Sequence, residues 1–174
     1  MSMAEMLKET AAEVVARVVK EDLHVDDVGF DLIARLEGKR NHAYLDSVKI
    51  PTIGIGFTRY TLGERAGQAV KMGDFLSDDE IRSEFANQVL TYENGVKNAV
   101  KVVLTQSQLN ACVSLCYNIG VGAFAKSSIC RLLNQQKYQA ACKAFALYNK
   151  AGGRVIQGLV NRRAMEMKEF FRNG

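Results

Sequence analysis

"LEGKRNHAYLDSVKIPTIGIGFT", residues 36–58, changes its grammar halfway along. Its opening closes a helical pattern. In HVDDVGFDLIARLEG, residues 24–38, Phe30, Ile33 and Leu36 recur as the apolar stripe of one helix face. Asp26 or Asp27 is placed to cap the start, and Gly38 to end it. Beyond that point Tyr44-Leu45-Asp46 and the run from Ile50 to Phe57 are rich in β-branched and aromatic residues, the composition of strands. Pro51 is tolerated only at a sheet edge, and Gly54 and Gly56 mark places of close backbone approach. Residues 42–60 therefore read as a small antiparallel sheet. Two carboxylates bracket the switch, Glu37 in the last turn of the helix and Asp46 on the adjoining hairpin.

Working outward, almost everything else reads as helix. Residues 3–21 place Met6, Leu7, Val14, Val15, Val18 and Val19 at helical spacing. From FLSDDEIRSEFANQVLTYENGVKNAVKV, residues 75–102, the chain is predicted to be helical to its end. Ser77 with Glu80, and Thr105 with Gln108, have the spacing of capping boxes. Ile81, Phe85, Val89, Val96 and Val100 form a stripe across about six turns. A helix that long can tie two lobes together. Gly120 and Gly122 close LNACVSLCYNIG, Ser127 or Ser128 opens ICRLLNQQ, Gly152-Gly153 ends YQAACKAFALYNK, and NRRAMEMKEFF is the final helix. The fold class is α+β, mainly α, with a helical lobe and a small antiparallel sheet.

Composition narrows the function classes. At 174 residues the chain is one domain, or two small lobes on one core. Apolar residues at 48% and charged residues at 24% exclude a disordered chain. The net charge of +4 comes without any run of Lys or Arg, so nucleic acid is not indicated. A mild positive excess suits an anionic polymer or surface. No stretch approaches the roughly 18 apolar residues of a membrane span. Glu5, Lys8, Glu9, Glu13, Arg17 and Lys20 interrupt the first segment, so it has no core of a secretory signal. Cys112, Cys116, Cys130 and Cys142 stand remote from His24 and His42. They read as buried thiols in a reducing compartment, with no metal site. Gly54-Ile55-Gly56 lacks the third glycine and the helix of a dinucleotide site, so no cofactor is expected.

The candidate chemistry lies at the helix–sheet junction. A general acid needs a carboxyl that keeps its proton near neutral pH, and a second carboxylate must stay ionised to direct a water. Glu37 and Asp46 fit those roles, with the hydroxyl of Thr52 available to hold the water. The same spacing also describes two unrelated surface acids, and by itself does not decide.

A resemblance decides. Glu37, eight residues, Asp46, five residues and Thr52, embedded in EGxxxxAYLDxxxxPTIGIGFT, resembles the active-site pattern of the phage lysozyme (endolysin) family, the glycoside hydrolase family 24 muramidases. LTQSQLNACVSLCYNIGVGAF with SSICRLLN, and YNKAGGRVIQGLVNRRAMEMKEFF, resemble that family's later blocks in the same order. The resemblance implies a lysozyme-like fold and hydrolysis of the β-1,4 bond between N-acetylmuramic acid and N-acetylglucosamine in peptidoglycan. Glu37 would then be the general acid. Asp46, helped by Thr52, would position an attacking water, with inversion at the anomeric carbon. Arg162 matches the arginine beside the catalytic glutamate, although Arg163 next to it fits as well. Tyr117, Asn118 and Ser127 match sugar-binding cleft positions, and Tyr117 fits a core residue equally. The resemblance further implies a phage product of the host cytoplasm, reaching glycan strands once a holin opens the membrane, and acting as a monomer without stable membrane insertion.

It also sets the expected organisation: an extension at 1–27, a small lobe at about 28–76, a connecting helix at about 77–101 and a helical lobe at about 102–174. Tyr148 stands where many relatives carry tryptophan. The extension is too charged for the releasable membrane anchor of some relatives, and reads as an extra packed helix. Two other readings compete. A lytic transglycosylase needs the acid but no water-holding partner, and an idle wall-binding or virion module needs neither.

Overall fold

The computed structural model describes residues 22–172, so the amphipathic segment 3–21 lies outside the described residues. Helix α1 spans Asp27–Glu37. Asp26 is its cap, with Oδ1 accepting the Gly29 N–H at 2.9 Å, and Gly38 ends it at a φ of 79°. The helix therefore stops with Glu37 on its final turn.

The hairpin follows as β1, Arg40–Leu45, and β2, Pro51–Gly54. They pair antiparallel, with Tyr44 opposite Thr52 and Leu45 opposite Pro51. Strand β2 is shorter than the sequence indicates. Gly54 and Gly56 adopt φ values of 64° and 85°, which turn the chain so that Ile53 and Phe57 exchange backbone hydrogen bonds at 2.8 and 2.9 Å. A Cβ on Gly54 would lie 2.4 Å from the Phe57 ring, so only glycine fits. His42 opposite Phe75 and Arg59 opposite Ala69 add isolated bridges to this lobe.

Helix α2, Asp78–Ala99, opens with the expected capping box at Ser77 and Glu80. Its buried face includes Ile81, Phe85, Val89 and Val96, together with two carboxylates, Glu84 and Glu93. Each of these acids holds a loop. Glu84 accepts the N–H of Thr61 and of Leu62 and the Thr61 hydroxyl, while Glu93 accepts the Val25 N–H at 2.6 Å.

Helix α3, Gln106–Ile119, opens on the Thr105–Gln108 box and is the axis of the larger lobe. Every residue from 107 to 116 is buried. It packs against α1, α2 and the C-terminal helix. Helices α4, Val121–Ala125, α5, Ser128–Asn134, and α6, Tyr138–Ala144, complete the core with Phe124, Ile129, Leu133 and Ala141. All four cysteines are buried free thiols, and burial pushes Cys116 up to about 12.

The expectation of unbroken helix after residue 75 fails at one place. Beyond a 3₁₀ turn at Phe145–Leu147, strands β3, Lys150–Ala151, and β4, Arg154–Val155, form a second hairpin. Gly152 and Gly153, at φ 55° and 76°, make its turn, and two-residue exposed strands carry no alternation to read. Helix α7, Gln157–Phe170, consequently begins four residues before NRRAMEMKEFF. The architecture is α+β with helix predominating, as expected.

Candidate active site

Three elements converge at the junction between the lobes. Helix α1 presents Glu37, whose Oε1 accepts a hydrogen bond from Arg162 Nη1 of α7 at 2.6 Å. Glu37 is 23% exposed and Arg162 only 7%, so the carboxylate meets solvent and the guanidinium lies behind it. Gly56, on the turn after β2, borders the other oxygen: a Cβ there would be 3.8 Å from Glu37 Oε2. Arg162, and not Arg163, is the arginine on the glutamate.

Asp46 terminates the hairpin. Its Oδ1 accepts the N–H groups of Val48 and Ile50 at 2.9 and 2.8 Å, and its own N–H donates to the Ile50 carbonyl at 3.0 Å. Oδ2 makes no hydrogen bond to the described residues. Thr52 is buried, and its Oγ1 donates to that same Ile50 carbonyl at 3.0 Å. The backbone of Ile50 thus holds both side chains. With its proton directed to Ile50, the Thr52 hydroxyl offers lone pairs as acceptors.

The other expected contacts are placed differently. Tyr117 donates its hydroxyl to the Ile55 carbonyl at 2.8 Å, and its ring packs 4.6 Å from that of Tyr92. It joins the helical lobe to the tail of β2, and its hydroxyl is engaged there. Ser127, expected in the cleft, is buried at 3% exposure. Its Oγ accepts the Cys130 N–H at 3.0 Å as the cap of α5; a serine just before a helix answers a local need for an acceptor. Asn118 is exposed, and its Oδ1 accepts from Arg163 Nη2 at 2.7 Å. Tyr148 has its own polar link, accepting the Ser128 N–H at 3.1 Å.

Sequence reasoning missed the residue beneath this site. Glu166, 0% exposed, receives the Ser114 hydroxyl at 2.7 Å, Arg162 Nε at 3.2 Å and Arg163 Nη2 at 3.4 Å, all on Oε1. Arg163 Nε lies 2.9 Å from Oε2. Burial pushes the Glu166 carboxyl up, against the pull of both guanidiniums and the Ser114 hydroxyl. The Arg163 Nε contact is an ion pair without hydrogen-bond geometry, and Arg163 Nη1 is likewise buried with no hydrogen-bond partner, a loss of about 1–3 kcal/mol. The signal was present: two arginines followed at three and four residues by a glutamate is a helical ion-pair spacing. Among the described residues no group of three His, Cys, Asp or Glu is arranged to hold a metal.

The family model for phage lysozyme matches residues 34–166, a span containing Glu37, Asp46, Thr52, Arg162 and Glu166. The endolysin of Salmonella phage P22 is 38% identical over 130 residues, which is 75% of this chain and 86% of that protein. The chain belongs to the phage lysozyme family. The solved endolysin of Escherichia coli O157:H7 phage FAHEc1 superposes with a TM-score of 0.80 at 30% identity, covering 88% of this chain and 96% of that one. A mutant of P22 lysozyme gives a TM-score of 0.76 at 36% identity over 85% and 98% of the two chains. The endolysin of Bacillus phage PZA is 35% identical over 150 residues, 85% of this chain. The chain spans about half the length of that endolysin and of the one from Bacillus phage B103, at 55% and 54%. Within the phage lysozyme family the matched region stops short of the N-terminal 33 residues.

Proposed function

We propose that the chain is a phage endolysin of the muramidase type, hydrolysing the β-1,4 bond between N-acetylmuramic acid and N-acetylglucosamine. The observation that carries this is the pairing of Glu37 with Arg162 on one side of the junction, with Asp46 and Thr52 tied through Ile50 to the hairpin beside it. Glu37 donates its proton to the glycosidic oxygen, and the bond to the anomeric carbon breaks. As Glu37 becomes a carboxylate, the guanidinium already 2.6 Å away stabilises the new charge. A water held by Asp46 Oδ2 and Thr52 Oγ1 attacks the opposite face of the ring, and Asp46 takes its proton. The product is inverted at the anomeric carbon, which requires carboxyl groups about 6.5–9.5 Å apart. Asn118, on the exposed end of α3, is the sugar contact that this reading retains.

We also propose the wider setting: a monomer made in the host cytoplasm that reaches glycan strands after a holin opens the membrane. The +4 charge favours encounter with an anionic wall, and no described helix is long and apolar enough to cross a membrane. The division at about residues 76 and 101 into small lobe, linking helix and helical lobe belongs to the same proposal, and the anchoring of loops on Glu84 and Glu93 supports it.

The test is clearing of outer-membrane-stripped cell walls by wild type beside Glu37→Gln, with mass analysis of the fragments. Wild type alone should clear, leaving reducing N-acetylmuramic ends. Anhydro ends would make the protein a transglycosylase, and equal clearing by the variant would remove Glu37 from the chemistry.

A further inference from the structure

Arg162 and Arg163 are adjacent and buried on α7, two like charges brought out of water side by side. One carboxylate separates them. Glu166 stands four residues after the first and three after the second, and touches both. Its own orientation is set from α3, where the Ser114 hydroxyl donates to it and the Ser114 carbonyl accepts from Arg162 Nη2 at 3.2 Å. From this base the guanidiniums diverge, Arg162 to Glu37 and Arg163 to Asn118. Asn118 lies one helical turn beyond Ser114, so α3 supplies both the footing and the amide.

We infer that Glu166 is a positioning residue that divides the two arginines between the catalytic acid and Asn118, so that Asn118 presents its Nδ2 amide to the glycan as a hydrogen-bond donor. The side-chain amide of an asparagine has one accepting and one donating end, and a rotation exchanges them. A guanidinium has donors only, so Arg163 on Oδ1 holds the amide in one of its two orientations. Nδ2 is left for an oxygen acceptor, such as the carbonyl and ether oxygens of an N-acetylated sugar chain. Arg163 Nε and Nη1 are both buried without a hydrogen bond, so Nη2, on Asn118 Oδ1 and Glu166 Oε1, carries the hydrogen bonds of this side chain. The inference rests on the reading of Glu37 as acid and Asn118 as sugar contact, which the Glu37→Gln assay checks separately.

The experiment is steady-state kinetics of the full chain on soluble glycan strands, with thermal midpoints measured in parallel. Asn118→Asp keeps an acceptor for Arg163 but removes the donor. Its KM should rise roughly three- to tenfold, the worth of one hydrogen bond, without a lowered midpoint. Arg163→Lys keeps the charge beside Glu166 but loses the planar fork. It should raise KM by a similar factor, and combining it with Asn118→Asp should raise KM no further. Arg162→Lys should instead lower kcat, and Glu166→Gln should do both. If Glu166→Gln does not fold, the exposed Asn118→Asp still decides. A wild-type KM for Asn118→Asp would overturn the proposal. So would an Arg163→Lys enzyme that loses kcat at unchanged KM, or full additivity in the double variant.

Discussion

Ile50 contributes no functional group from its side chain, yet its backbone holds Asp46 and Thr52, the proposed water-holding pair, together. Its N–H goes to Asp46 and its carbonyl takes the Thr52 hydroxyl. Substitutions at the two side chains should therefore separate chemistry from structure. Asp46→Asn keeps an oxygen for the hairpin N–H groups but cannot take a proton from water. It should lower kcat by about 10²–10⁴ with little change in thermal midpoint. Thr52→Val removes one of the two acceptors and one of the two donors that meet at the Ile50 carbonyl, leaving the Asp46 N–H on it. It should lose activity and about 0.5–1.5 kcal/mol of stability, measured by chemical denaturation. If Asp46→Asn keeps wild-type kcat, Asp46 is only a turn residue.

At the scale of elements, α2 acts as a strut with acids set into it. Burial acts to raise the Glu84 carboxyl, but the Thr61 hydroxyl and N–H, Gln88 and the Leu62 N–H together hold it below its ordinary value of 4.5. A depressed carboxyl stabilises the fold fully above its unfolded pKa, and the contribution is lost as pH falls through the folded value. The thermal midpoint should thus drop below about pH 5, and Glu84→Gln should flatten that drop while lowering the midpoint at neutral pH. An unchanged slope in the variant would place the acid sensitivity elsewhere. The ends of α1, α2 and α3 were legible in the sequence because Asp26, Ser77 and Thr105 satisfy helix N–H groups within three residues. The β3–β4 hairpin was not, since its strands are two residues long and its form depends on positive φ at Gly152 and Gly153. Ser127 was offered by the sequence both as a helix start and as a cleft residue, and the structure places it as the buried cap of α5. A cap and a sugar contact call for the same residue type, and only burial separates them.

Across the whole molecule, two contacts tie the lobes at the cleft, Tyr117 to the Ile55 carbonyl and Arg162 to Glu37. Their sequence separations of 62 and 125 residues explain why motif spacing found the acid while geometry had to find its setting. Glu166 shows the same limit, since its importance depends on Ser114, which lies 52 residues away. Tyr117→Phe should loosen the lobes without removing a reacting group. We expect a loss of about 0.5–1.5 kcal/mol in stability and faster hydrogen exchange in residues 51–57, with the chemistry intact. The central claim is that Glu37 and an Asp46-held water work on opposite faces of one sugar ring. Proton NMR of the anomeric signals during the first minutes of wall-glycan cleavage tests it most directly. The account predicts that the newly formed reducing ends appear first as the α anomer and then mutarotate. Initial formation of the β anomer would contradict it, because retention needs a first displacement on the face where the account places the water, with water entering only afterwards from the leaving group's side.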